Sequence, residues 1–174
     1  MTAAHPRLSI NQATIKRATL ADALRVTAAA GIGSIGLWRE PVAEVGLKAA
    51  VKMVADSGLR VSSLCRGGFF TSPDASIWRE SLDENRRAID ETAALAAAGA
   101  PGSAPVLVLV AGGLSDGSTD LIAARARVGE ALADLEPVAR AAGVRLANEC
   151  GALEHPALAA ERWSTLLRLN GVGV

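Results

Sequence analysis

The chain has 174 residues, half of them hydrophobic but only 3% aromatic, and its 18 basic residues balance 18 acidic ones. That length fits one domain with a core of Ala, Leu and Val, and zero net charge gives no global field to attract nucleic acid or an anionic membrane. No apolar run approaches the ~18 residues needed to span a bilayer, Met1 to Arg7 lacks a signal-peptide core, and two cysteines make no disulfide framework, so a cytoplasmic protein is expected.

Leu8 to Ile15 is the first strand-like run. Thr19 and Asp22 have capping-box-like spacing and open a helix with Leu20, Leu24 and Ala28 on one face. Ala30-Gly31 closes it ahead of the apolar run Ile35-Gly36-Leu37. A second helix sets Leu47, Ala50, Val51 and Val54 at helical spacing and ends at Ser57-Gly58, before Val61 to Leu64. Ile77 to Ala98 is the third, with Ile89, Ala93 and Ala96 inward, and Ala98-Gly99 precedes the strand Val106 to Val110. The fourth runs from about Asp120 to Ala142 with Val128, Leu132 and Leu135 as its apolar stripe. Pro137 is expected to kink or restart it. Ala142-Gly143 then leads into Val144 to Ala147.

Glycine after a helix supplies the left-handed cap, and a β-branched run behind it suits a buried parallel strand. Five strands alternating with helices predict an α/β fold of TIM-barrel-like (β/α) repeats. A closed barrel has eight strands and about 250 residues, so the expectation is an incomplete barrel of about five βα units. It occupies one partial domain over residues 1–174. From Gly151 the pattern weakens: 151–174 reads as an atypical tail, with Glu161 to Leu169 compatible with one more helix.

Leu8-Ser-Ile-Asn11, Ile35-Gly-Leu-Trp38-Arg39-Glu40, Ser63-Leu-Cys-Arg-Gly-Gly-Phe-Phe-Thr71 and Val144-Arg-Leu-Ala-Asn-Glu149 carry a resemblance. In that order they resemble the xylose isomerase-like TIM barrels, and within them the sugar phosphate isomerase/epimerase group. The resemblance implies a metal-dependent isomerase or epimerase of a sugar, sugar phosphate or related keto-polyol, working by enediolate proton transfer. It also implies a divalent metal (Mn, Mg or Co) held by a Glu after strand five and by an Asp, a His and a second Glu from later strands.

Glu149 matches the first of those ligands and is the expected catalytic and metal-binding residue. The family pattern has an aliphatic residue before that Glu and Pro after it, where this chain has Asn148 and Cys150. His155-Pro156 and Ala159-Ala160-Glu161-Arg162 only faintly resemble the stretch that follows it in relatives. The strands for the other ligands are missing, which reads as truncation after the fifth strand. The chain alone is therefore not expected to complete the metal site or to be fully active.

Four residues are expected to bind substrate. Arg66, after a buried strand, suits an anionic or hydroxyl group, with an ordinary surface arginine as the competing reading. Trp38 and Glu40, ending strand two, suit the pocket rim, with simple packing as the alternative for Trp38. Asn11, on strand one, would aim its amide at a hydroxyl unless it is a buried, satisfied side chain. Phe69 and Phe70 read as core packing, and Cys65 and Cys150 as inert thiols near strand ends. The partner expected is a small sugar or keto-polyol, with no nucleic acid and no membrane, and the open barrel edges are expected to make the chain a homo-oligomer.

Two other readings remain. One is a non-catalytic half-barrel that pairs with itself or another subunit through open sheet edges. The other is a keto-polyol dehydratase sharing the same residues. A multi-metal DNA-repair endonuclease is rejected, because two histidines and zero net charge cannot furnish its metals and phosphate groove.

Overall fold

In the computed structural model, residues 7–114 and 118–149 are described. They form one parallel sheet of five strands in the order β1-β2-β3-β4-β5: Ile10–Asn11, Ser34–Trp38, Arg60–Gly68, Val106–Val110 and Arg145–Glu149. The connections carry α1 (Leu20–Ala29), α2 (Arg39–Val45), α3 (Leu47–Ser57), α4 (Ala75–Ala98) and α5 (Leu121–Ala141). The expected alternation of strand and helix is therefore present, as five parallel strands of a TIM-barrel-like fold.

Local chemistry accounts for most boundaries. Thr19 accepts from the Asp22 amide at 3.1 Å and donates to its carboxylate at 3.0 Å, which fixes the start of α1. Asp74 caps α4 by accepting from the Ser76 and Ile77 amides at 2.7 and 3.1 Å. Gly58, at φ +66°, closes α3 in the left-handed conformation that a residue with a Cβ resists.

Several expectations needed correction. The first strand covers only Ile10–Asn11, because Gln12–Ile15 turns into a single 3-10 helix capped by the Asn11 side chain. A short helix, α2, follows β2 directly, with Pro41 inside its first turn, where no intrahelical donor is lost. β3 runs on through Gly68, past the apolar Val61 to Leu64. On α1, Ala23 and Thr27 are buried and Ala28 is exposed. Pro137 does not restart α5: it lies inside a single helix, and both it and Ala133, whose carbonyl would have met its missing N–H, are exposed residues.

The strands place alternate residues on two faces. Leu37, Leu64 and Leu107 are in register and wholly buried against the helices. One cluster joins α1 and α3 to β2 and β3, and a second joins α4 and α5 to β4. Trp38, Cys65 and Val108, also in register, lie on the opposite face. The helices thus seal one side of the sheet, and its other side carries the concave surface described next.

No described helix is long and apolar enough to cross a membrane. The 151–174 tail, His5, Cys150, His155 and Glu161 to Leu169 lie outside the described residues.

Candidate functional site

The C-terminal ends of parallel strands are where βα architectures assemble ligand sites. Here they enclose a cavity of about 310 Å³ lined by Asn11 of β1, Trp38 of β2, Cys65 and Arg66 of β3, Val110 of β4 and Glu149 of β5. Asn11, Trp38, Arg66 and Glu149, expected from sequence to share a pocket, are brought to one concave surface. Glu40 is not among its lining residues: it sits in the first turn of α2 and faces a neighbouring crevice of about 370 Å³ between α2, β3 and α4. Arg66 lines both spaces.

Trp38 is held at three points. Its indole N–H donates to Asn11 Oδ1 at 2.7 Å, and its backbone amide donates to Gln12 Oε1 at 2.9 Å. The Arg66 guanidinium carbon lies 5.5 Å from its ring centroid and 5.4 Å from that of Phe69, within reach of cation–π attraction. Arg66 Nη2 also meets Glu40 Oε1 at 3.5 Å. The Asn11 amide oxygen is thus occupied, accepting from Ala13 as well, and its NH2 group makes no hydrogen bond among the described residues. Gln12 was missed in the sequence, since an amide on a 3-10 turn has no apolar periodicity to reveal it. Its side chain is buried, and its Nε2 has no hydrogen-bond partner among the described residues.

The end of β3 is shaped by close backbone approach. A Cβ on Gly68, at φ +110°, would stand 1.9 Å from the Val110 carbonyl oxygen, so only glycine fits. Asn85 of α4, also missed in the sequence, clamps this residue: its Oδ1 accepts from Gly68 N–H at 2.7 Å, and its Nδ2 donates to Gly68 C=O at 2.9 Å. The chain then turns at Phe69, itself at φ +66°, and its amide donates to the Val110 carbonyl at 2.7 Å. Phe70 is wholly buried, as expected of a core residue, but Phe69 is 48% exposed beside Arg66.

The electrostatics are mixed. Arg39 of α2 bridges Glu84 and Glu91 of α4 at 2.7 and 2.6 Å. Burial pushes the Arg39 guanidinium toward deprotonation, but the two carboxylates outweigh it and raise its pKa. Cys65 is pushed up to about 11, by burial first and then by the Glu149 charge, which together outweigh Arg66. Its thiol stays protonated at neutral pH and is a poor ligand or nucleophile.

Divalent ions such as Mn²⁺ and Mg²⁺ require several oxygen donors. No group of three or more metal-ligating side chains occurs among the described residues. Glu149 and a protonated Cys65 thiol in one cavity do not fit such an ion by themselves. Asn148 is buried on the helix side, in register with Leu109, and its Oδ1 has no partner among the described residues. An aliphatic side chain would suit that environment better.

Comparison with known proteins agrees with this architecture. The family model described as the xylose isomerase-like TIM barrel matches residues 24–160, and the chain belongs to that family. Protein SMc04130 from Sinorhizobium meliloti 1021 is similar at 42% identity and TM-score 0.79, over 92% of this chain and 60% of that one. An IolI protein with a bound zinc atom matches at 18% identity and TM-score 0.69, over 94% and 58% of the two chains. D-psicose 3-epimerase crystallised with D-fructose matches at 15% identity and TM-score 0.70, over 94% and 59%. The chain therefore spans about 60% of the length of these structures. The last two likenesses concern the fold alone. No curated protein matches the chain.

Proposed function

We propose that this chain supplies the first five βα units of a sugar or keto-polyol isomerase/epimerase site. The observation that carries the reading is the meeting of Asn11, Trp38, Arg66 and Glu149, from four different strands, on one cavity at the strand C-termini. In this reading the Asn11 amide NH2 and the Trp38 ring hold hydroxyl-bearing carbons of the substrate. Arg66 takes an anionic or hydroxyl group. Glu149 removes the proton from the carbon next to the carbonyl, leaving an enediolate. In isomerisation the hydroxyl proton shifts to the former carbonyl oxygen while Glu149 returns its proton to the former carbonyl carbon; in epimerisation water supplies the proton on the opposite face and Glu149 gives its own to solvent. No step is assigned to a metal, because the described donors do not make a site for one; Mn²⁺, Mg²⁺ or Co²⁺ is an addition to be tested with the chain. Residues 10–149 of the fold serve a dehydratase of a keto-polyol equally, since its first step is the same proton abstraction.

The test is incubation of the purified 174-residue chain with D-fructose, D-tagatose or hydroxypyruvate in deuterated buffer, with and without Mn²⁺. Proton NMR would follow deuterium entering beside the carbonyl. Exchange that is lost in Glu149→Gln supports the reading. No exchange with any of the three, or exchange unchanged in the variant, sinks it.

A second reading has its own observation. Among the described residues β1 pairs only with β2 and β5 only with β4, so both edges of the sheet are open. Such edges favour a half-barrel that pairs with a second copy of this chain.

A further inference from the structure

We propose that Arg66 makes the site selective for a hydroxy-ketone that carries a carboxylate or phosphate, and that Glu40 is the internal anion this group displaces. The inference rests on the isomerase/epimerase reading and narrows its substrate class.

Arginine presents five N–H donors in a planar fork that matches two oxygens of an anion. Among the described residues, the Arg66 guanidinium makes a 3.5 Å ion pair with Glu40 and no hydrogen bond. Both partners of that pair are exposed, at 42% and 55% of the side chain, and such pairs are worth little. The rings of Trp38 and Phe69 nevertheless hold the group in place. Trp38 is itself anchored by Asn11 and Gln12, and Phe69 by the Val110 carbonyl. The fork is therefore positioned, but its donors are not used.

On the crevice side, Arg39, Glu84, Glu91 and Asn85 are already committed to one another or to the backbone. Arg39 is held by Glu84 and Glu91, and the Asn85 amide by Gly68 and by the Ser81 carbonyl at 2.7 Å. Arg66 stands where the strand-end cavity and the crevice beneath α2 meet. A ligand whose hydroxy-ketone portion lies in the first space can place its anionic end at the junction, and two charge-assisted hydrogen bonds there outweigh the single contact to Glu40. Phe69 is a positioning residue, acting through the guanidinium.

The experiment is calorimetric titration of the 174-residue chain with three ketoses: neutral D-fructose, its 6-phosphate, and the carboxylate 5-keto-D-gluconate. Inorganic phosphate serves as the control for a bare anion. The readout is the affinity ratio of each anionic ketose to D-fructose. A ratio of about 10 or more is expected for one of the two, from a charge-assisted hydrogen-bonded pair, and the arm that shows it identifies the group. The ratio should collapse toward 1 in Arg66→Leu, fall partly in Arg66→Lys and in Phe69→Leu, and rise in Glu40→Gln.

Equal affinities in the unaltered chain, or a ratio unmoved by Arg66→Leu, overturn the selectivity while leaving the isomerase reading in place. Inorganic phosphate binding as tightly as the phosphorylated ketose also overturns it. If neither neutral nor anionic ketose binds, the selectivity and the isomerase reading fall together.

Discussion

Cys65 shows how one residue reports on the site around it. Its neighbours in register, Trp38 and Val108, share the inner face of the sheet, and Glu149 is close enough for its charge to raise the thiol's pKa. An acid whose folded value lies above its ordinary 9.0 favours the fold while protonated. That contribution is complete below pH 9 and is lost as pH rises toward about 11. Alkylation of Cys65 by iodoacetamide, read on the peptide that carries it, should therefore stay slow through pH 9 in the folded chain and rise there in urea. Glu149→Gln should bring the onset in the folded chain to lower pH, since it removes one of the causes. Folded and urea-unfolded curves that rise together would mean the thiol does not sit in this environment.

At the scale of elements, the site depends on how α4 is tied to β3. Asn85 satisfies both backbone groups of Gly68 while it is itself 2% exposed. Asn85→Ala strands a buried amide and carbonyl, and should cost about 2–3 kcal/mol in urea denaturation. The same change should weaken ligand binding, because the loop that carries Phe69 follows directly. Strand and helix existence was legible at this scale: the glycine-closed helices and apolar runs marked four of the five strands correctly. The exceptions have physical causes. Leu8 to Ile15 looked like a strand, but Asn11 caps a turn instead, and a side chain competing for backbone donors leaves no mark on hydropathy. α2 was missed because seven residues with one buried position, Val42, carry no amphipathic pattern.

At the scale of the molecule, the five-stranded sheet is sealed by helices on one face and open at both edges among the described residues. Unpaired edge groups favour pairing with another chain. Sedimentation velocity of the 174-residue chain over a tenfold concentration range should show a dimer or larger species. A monomer throughout would remove the paired half-barrel reading.

Glycine caps, β-branched runs and helical spacing are local properties, so the alternation of five strands with the four longer helices, and the family resemblance, followed from the sequence alone. The same holds for Glu149 at the end of the fifth strand and for Arg66 at the end of the third. What only the tertiary structure decided is how those residues meet: that Asn11 grips Trp38, that Phe69 stays exposed beside Arg66, and that Glu40 turns to the crevice. These depend on register and on backbone approach between strands distant in sequence, where a single Cβ at Gly68 would collide with Val110. Contacts of that kind arise from packing in three dimensions, and no periodicity along the chain records them.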